Sequence, residues 1–185
     1  RCATAVGSLE PCAPGWRVRD AEGSVLEEVD AVVLAAGAEV PSFAQAASLP
    51  IRPARGQVSL APAEAGSPPR VTVCRNGYVT PEVSGQRAFG ATFAVGDTDP
   101  AVRPADHREN LVKLEAILPG YTAGLDPASL EGRVGFRPAV PDRLPVVGPV
   151  GDAPGLLVLS GFGARGLAFA VPAARLAAAL LCGEP

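Results

Sequence analysis

The stretch that decides the fold is "GFGARG", Gly161 to Gly166. It spells G-x-G-x-x-G, follows the apolar run "GLLVLS" and opens a helical pattern, "LAFAVPAARLAAALL". In a dinucleotide-binding βαβ unit such a loop leads into a helix, a second strand and an acidic residue about 20 positions on that holds the ribose. After Gly166 this chain offers one helix and then "CGEP". Glu184 stands at a suitable distance, but no strand pattern presents it. The loop therefore reads as the turn of a terminal strand–loop–helix unit, and the standard phosphate-gripping reading lacks its context.

Working outward, the chain has 185 residues, 48% of them hydrophobic, enough for one moderate domain or two small ones with a true core. No apolar run approaches the ~20 residues of a membrane-spanning helix. The chain begins at Arg1 and contains no Met, so it reads as a piece of a longer protein. The near absence of lysine, with Lys113 alone, reflects composition bias and carries no functional weight. A net charge of -3 argues against a self-sufficient nucleic-acid binder, which needs a strongly basic face. Cys2, Cys12, Cys74 and Cys182 are scattered without a C-x-x-C pair. They are expected to be reduced, buried thiols of a cytoplasmic protein, with a Cys2–Cys12 bridge as the alternative. A single histidine, His107, argues against a zinc site or a Ser-His-Asp triad.

The first segment reads as a β meander. "GWRVRD" alternates, "AEG" turns, "SVLEEV" returns, and "DAVVLAAG" is an apolar run suited to a central parallel strand buried on both faces. It ends in Ala35-Ala36-Gly37, either a close approach to the backbone or a plain tight turn. "GQVSL" starts a further strand, and "RVTVCRNGYVTPEV" predicts a hairpin with arms Val71 to Cys74 and Tyr78 to Thr80 around Asn76-Gly77. "RAFGATFAVG" is another strand. "DPAVRPADHRENLVKLEAILPG" predicts an amphipathic helix with an Asp106/Glu109 capping box, a Leu111/Leu114/Leu118 face, a Glu109–Lys113 pair and a Pro119-Gly120 stop. His107 is expected to be exposed in its first turn. "EGRVGFRPAVPDRLPVVGPV" is strand, proline-rich turn and strand. The order predicts an α/β (α+β) protein: a partial Rossmann-like domain interrupted by an inserted mixed, largely antiparallel sheet domain. Residues 1–51 and 133–185 would share one sheet, and 52–132 would form the insertion. "DAVVLAAG" and "GLLVLSGFG" would end side by side at one crevice, where open α/β sheets bind ligands.

Five segments, "LPIRPARGQVS", "NGYVTPEV", "FGATF", "GRVGFRPAVPDRLPVVGPV" and "GARGLAFAVPAARLAAALL", occur in an order that resembles the C-terminal half of FAD-dependent amine oxidoreductases. This is the glycine oxidase and D-amino-acid oxidase superfamily, and the tRNA-modifying branch, in which the oxidoreductase follows a methyltransferase domain, is the nearer match. The family's N-terminal strand with its own G-x-G-x-x-G is absent. The turn "RPAVPD" is of the type found in small-amine oxidases, whereas the tRNA branch is expected to carry a Cys-Ala-Thr type.

The resemblance implies FAD as cofactor and modified tRNA as substrate, namely oxidative removal of the carboxymethyl group from a 5-carboxymethylaminomethyl wobble uridine. A free amine such as glycine or a D-amino acid, or a non-catalytic module, are the alternatives. It further implies that Gly161, Gly163, Ala164, Arg165 and Gly166 border the flavin, with Ala36 and Gly37 near it. Arg137 would hold the substrate carboxylate, unless it is spent on a salt bridge to Asp142. Arg165 is either a flavin or substrate contact or a solvated arginine at a helix start. Arg55, Gln57 and Tyr78 are the implied pocket residues of the substrate domain. The chain alone is expected to hold FAD poorly.

Overall fold

In the computed structural model, residues 2–63 and 69–184 are described, and they form two compact units, residues 1–53 with 137–185 and residues 54–136. The chain leaves the first unit within one strand and returns within another.

Unit 1 opens with a meander of β1 (Val6–Pro11), β2 (Trp16–Asp20) and β3 (Val25–Val29), all antiparallel. β1 was not foreseen, because Gly7 and Pro11 mask its alternation. Gly7 is needed there: a Cβ would stand 2.4 Å from the Asp20 carbonyl oxygen. Trp16 is buried and donates its indole N–H to the Pro154 carbonyl at 2.8 Å, tying the meander to the far end of the sequence. β4 (Val32–Leu34) follows, then two short 3-10 helices, Gly37–Ser42 and Ala44–Ala46.

After the excursion into unit 2 come β11 (Val146–Pro149), β12 (Leu156–Ser160) and α2 (Gly166–Cys182). β12 pairs with β11 antiparallel and with β4 parallel, in the order β11-β12-β4. The strands of "DAVVLAAG" and "GLLVLS" thus share one sheet, whereas β1, β2 and β3 form a sheet of their own. The expectation that β4 is a central strand buried on both faces is corrected: it is an edge of this sheet and Val33 is 37% exposed. The central place belongs to β12, in which Leu156, Leu157 and Val158 are all buried. The core gathers Leu9, Trp16, Leu34, Val40, Ile51, Val140, Val150, Leu156 and Val158.

Unit 2 is a six-stranded sheet built on β5 (Arg52–Pro62), with β6 (Val73–Cys74), β7 (Tyr78–Val79), β8 (Gln86–Gly90) and β10 (Glu131–Ala139) in the order β10-β5-β8-β7-β6. β9 (Ala94–Val95) also pairs with β5. The predicted hairpin forms, with shorter arms, around Arg75-Asn76-Gly77. α1 (Pro104–Ile117) packs on β7 and β8, burying Leu114 beside Phe89, Val79 and Ala61. The Glu109–Lys113 pair forms at 2.7 Å.

Several expectations fail here for physical reasons. The capping box is not made: Arg103 is the N-cap without a side-chain cap bond, and Pro104 occupies the first turn. Asp106 is instead drawn to Arg55. His107 is not exposed but 1% accessible, because its ring lies against the strand glycine Gly132, where a Cβ would come within 2.8 Å of the imidazole Cε1. The cysteines are free and the Cys2–Cys12 bridge is not formed, yet they are not buried: Cys2, Cys74 and Cys182 are exposed and Cys12 is half-buried. Cys2 lies near the N-terminus, Cys12 in the β1–β2 turn, Cys74 in a short hairpin arm and Cys182 at a helix end. Among the described residues no helix is long and apolar enough to cross a membrane.

Candidate functional site

In unit 1 the C-terminal ends of β4 and β12 lie side by side, since Leu156 pairs with Val32 and Val158 with Leu34. Past these pairs, the Ser160 hydroxyl donates to the Gly37 carbonyl at 2.8 Å. That bond brings Ala36 and Gly37 next to Ser160 and Gly161, two groups 123 residues apart in sequence. Gly37 has φ +59 and opens the first 3-10 helix, with nothing within 4 Å of the position a Cβ would take.

The glycine loop is fastened to the strand on its other side. Gly161 adopts φ +75, and a Cβ there would meet Val146 at 2.8 Å and the Leu144 carbonyl oxygen at 3.4 Å. Only glycine combines that conformation with that approach. The Gly163 N–H donates to the Pro138 carbonyl at 2.9 Å, so the loop rests directly on the "RPAVPD" turn. Arg137, half-buried near the end of β10, is carried by the same turn. Asp142, its suggested ion partner, accepts the Leu144 N–H at 2.9 Å. Arg165 is the exposed N-cap residue of α2, its guanidinium 4.9 Å over the Phe169 ring and hydrogen-bonded to the Arg143 carbonyl.

Gly163, Ala164 and Gly166 then present backbone at the start of a 17-residue helix. In its first turn the Ala168 and Phe169 N–H groups close onto the Arg165 carbonyl at 3.1 Å, and helix geometry leaves those of Gly166 and Leu167 without intrahelical acceptors, so that their partial positive charge favours an anionic group in front of them. On the β4 side lies an apolar cavity of about 480 Å³, walled by Val6, Val18, Val32, Val33 and Phe43 and bordered by Ala36 and Glu39. The predicted cofactor residues, together with Arg137, are thus all assembled in unit 1.

The predicted substrate residues of unit 2 stand differently. Arg55 is 1% accessible, and its guanidinium donates to the Asp99 carbonyl at 2.7 Å, the Ala101 carbonyl at 2.5 Å, Gln57 Oε1 at 3.2 Å and the Asp106 carboxylate. Gln57 is fully buried and holds the Arg103 backbone from both sides, accepting its N–H at 2.7 Å and donating to its carbonyl at 2.9 Å. The polar atoms of Arg55 and Gln57 fasten the 97–106 segment to β5. Tyr78 is half-buried on β7, opposite Gly90. Next to them Arg103 is clamped by Asp97 at 2.5 Å and Asp99 at 2.6 Å. Asp97 is held below its ordinary carboxylate range chiefly by the hydrogen bond from Arg103, and Asp99 chiefly by the N–H of Ala101.

One buried group escaped the sequence reading. Ser59 Oγ lies 2.7 Å from His107 Nδ1 and accepts from Asn110 at 3.0 Å, while His107 Nε2 and Asn110 Oδ1 have no partner. Burial pushes the His107 imidazole below its ordinary pKa of 6.5, opposed by the neighbouring Asp106 charge. The i,i+3 spacing of His107 and Asn110 on α1 was the available signal. Among the described residues no cluster of His, Cys, Asp and Glu could hold a metal ion.

A parallel strand pair ending in small residues, a tight glycine turn and a helix N-terminus together define an α/β unit with open backbone at its strand ends. The chain belongs to the FAD dependent oxidoreductase family, which it matches over residues 1–180. It is 52% identical to the tRNA 5-methylaminomethyl-2-thiouridine biosynthesis bifunctional protein MnmC of Aromatoleum aromaticum, over 98% of this chain and 31% of that protein. With the protein of the same name from an Azoarcus species it shares 55% identity, over 92% of this chain and 29% of the relative. The chain thus spans about a third of the length of the curated relatives it matches. Among solved structures it resembles iminodiacetate oxidase from a Chelativorans species, at 27% identity and a TM-score of 0.73, covering 96% of this chain and 49% of that one. Glycine oxidase from Geobacillus kaustophilus, at 23% identity and a TM-score of 0.77, covering 98% and 49%, shows the same fold.

Proposed function

We propose that this chain supplies the flavin-facing loop and the carboxylate-binding arginine of an FAD-dependent oxidoreductase that acts on a carboxymethylaminomethyl group of tRNA wobble uridine. The observation that carries the reading is the 2.9 Å bond from Gly163 N–H to the Pro138 carbonyl, which sets the Arg137 turn directly against the glycine loop. A cofactor-facing backbone and a guanidinium are the two things an amino-acid-like amine needs at one site. The relatives named for methylaminomethyl-thiouridine biosynthesis support the tRNA substrate. Iminodiacetate, in the name of a structural relative, carries the same N-carboxymethyl group.

The residues fit the cofactor. Gly161 tolerates no side chain, Gly163 and Gly37 leave open space at their α-carbons, and the first turn of α2 offers N–H groups to the anionic end of a reduced flavin. FAD, when bound, supplies the acceptor for two electrons. Arg137 pairs with the carboxylate of the N-carboxymethyl group, bidentate where a lysine would offer a point charge. That pairing fixes the carbon between nitrogen and carboxylate for oxidation. Overall, the amine and one water yield the aminomethyl nucleoside and glyoxylate, with two electrons and two protons passing to the cofactor. "Bifunctional" in the relatives' name fits a methyltransferase domain elsewhere in the same polypeptide, and tRNA as partner of that whole protein.

The test uses the full-length protein, assayed for glyoxylate release from carboxymethylaminomethyl-modified tRNA. Loss of a charge-assisted hydrogen-bond pair of about 1.5–3 kcal/mol in Arg137→Leu lowers kcat/KM by roughly 10- to 150-fold. Unchanged kcat/KM in that variant would remove Arg137 from the site. Release from iminodiacetate or glycine but not from tRNA would favour a free-amine substrate, as the "RPAVPD" turn allows.

A further inference from the structure

We infer that Arg165 is a positioning residue: it holds the 140–144 turn, and through it Arg137, against the glycine loop, and is not itself a ligand of the substrate. The inference rests on the reading of Arg137 above. Four observations within unit 1 carry it. Arg143 is a non-glycine residue at φ +61, a left-handed conformation that costs an L side chain of its size of order 1 kcal/mol and needs outside support. The carbonyl that this conformation presents is the acceptor of the Arg165 guanidinium. That guanidinium lies over the Phe169 ring, one turn further along α2, so ring and carbonyl fix its plane and its direction together. The turn is also closed by local bonds, Arg143 N–H to Val140 O at 3.2 Å and Leu144 N–H to Asp142 Oδ1 at 2.9 Å.

Among the described residues, loop and turn are tied by Gly163 to Pro138 at the Arg137 end and by Arg165 to Arg143 at the far end. The first is a backbone bond, which truncating a side chain leaves in place. The second depends on one side chain. An exposed arginine at a helix start ordinarily avoids the positive end of the dipole. Its placement here follows from a receptor that is a carbonyl outside the helix and from a ring inside it.

The test has two readouts in the full-length protein, the first independent of substrate and activity. Amide hydrogen exchange of residues 140–146 and of Gly163 is compared between wild type and Arg165→Ala; exchange about tenfold faster or more is expected, and unchanged protection overturns the inference. The second is a double-mutant cycle. Arg165→Ala is expected to raise KM for the carboxymethyl amine about tenfold with kcat within about threefold, and Arg165→Lys to recover part of the loss, since lysine reaches a carbonyl without the ring. In an Arg137→Leu background, Arg165→Ala is expected to add nothing further. Additive losses would identify Arg165 as a direct ligand and overturn the inference. So would loss of bound flavin absorbance at unchanged exchange. A wild-type protein that releases no glyoxylate sinks the functional reading while the exchange experiment still decides the clamp.

Discussion

The two units are held together by opposite means. Among the described residues, thirteen of the buried hydrophobics belong to unit 1 and five to unit 2. Of the buried polar residues the division reverses: Ser160 alone is in unit 1, whereas Arg55, Gln57, Ser59, Arg87, Thr92, His107 and Asn110 are in unit 2. Unit 1 spends apolar burial on a core and leaves glycine backbone open at its rim. Unit 2 has a small apolar cluster under α1 and fastens the rest of that helix by hydrogen bonds. A buried polar network is specific, but each member left without its partner is costly.

The largest expected effect follows at Arg55. Arg55→Leu leaves the Asp106 carboxylate and the carbonyls of Asp99 and Ala101 without their Arg55 donor, while Gln57 Oε1 keeps the Arg103 N–H. Breaking a buried ion pair in this way costs about 3–5 kcal/mol. In urea unfolding of the full-length protein this appears as a lowered midpoint at unchanged m-value. A loss under about 1 kcal/mol would show that unit 2 does not depend on its polar network and would erase the contrast.

A smaller effect is expected at Gly161, in the other unit. Alanine there adopts φ +75 and drives a Cβ into Val146. The strain is about 1–3 kcal/mol, but its place matters more than its size, because relief requires the loop to lift from β11. Gly161→Ala is therefore expected to weaken FAD retention in the full-length protein more than it lowers Tm, measured as flavin released on gel filtration. Full flavin retention with a lowered Tm would make Gly161 a packing glycine only.

Much of unit 1 was legible in sequence because its logic is apolar and local. "GLLVLS" and "DAVVLAAG" announce strands, and small residues mark where they end. What periodicity could not show is which strand is central, since that depends on pairing partners far apart in sequence. In unit 2 the burial of charged and polar residues was not legible, and His107 is buried where exposure was expected. Arg55 and Gln57 look like surface-seeking side chains, and His107 follows an aspartate in an apparently solvated first turn. Each is buried because another polar residue 35 to 51 positions away satisfies it: Asp106 for Arg55, Thr92 for the Gln57 backbone, Ser59 for His107. No window of sequence contains those pairs. Glycines signalled one of them indirectly, since Gly132 makes room for the imidazole.

The smallest expected effect is a slope. His107 is buried and neutral, facing Ser59 from β5, the backbone of Gly132 from β10, Asn110 from its own helix and the Asp106 carboxylate, itself held by Arg55. Its folded pKa lies below the ordinary 6.5, so below pH 6.5 the unfolded chain binds the proton that the folded chain refuses. Stability therefore falls as pH drops through 6.5, with a slope of at most about 1.4 kcal/mol per pH unit, and levels off below the folded pKa. The depressed carboxylates Asp97, Asp99 and Glu115 act in the opposite sense of charge and lower down: their contribution is present above their ordinary values of 3.8 and 4.5 and is lost as pH falls below them. A comparison of urea midpoints at pH 7.5 and 5.5 thus isolates the histidine. His107→Asn is expected to lower stability at pH 7.5 and to flatten the difference between the two pH values. An equal difference in wild type and variant would mean that the imidazole reaches solvent as it is protonated, and that the polar network of unit 2 yields where the contrast with unit 1 requires it to hold.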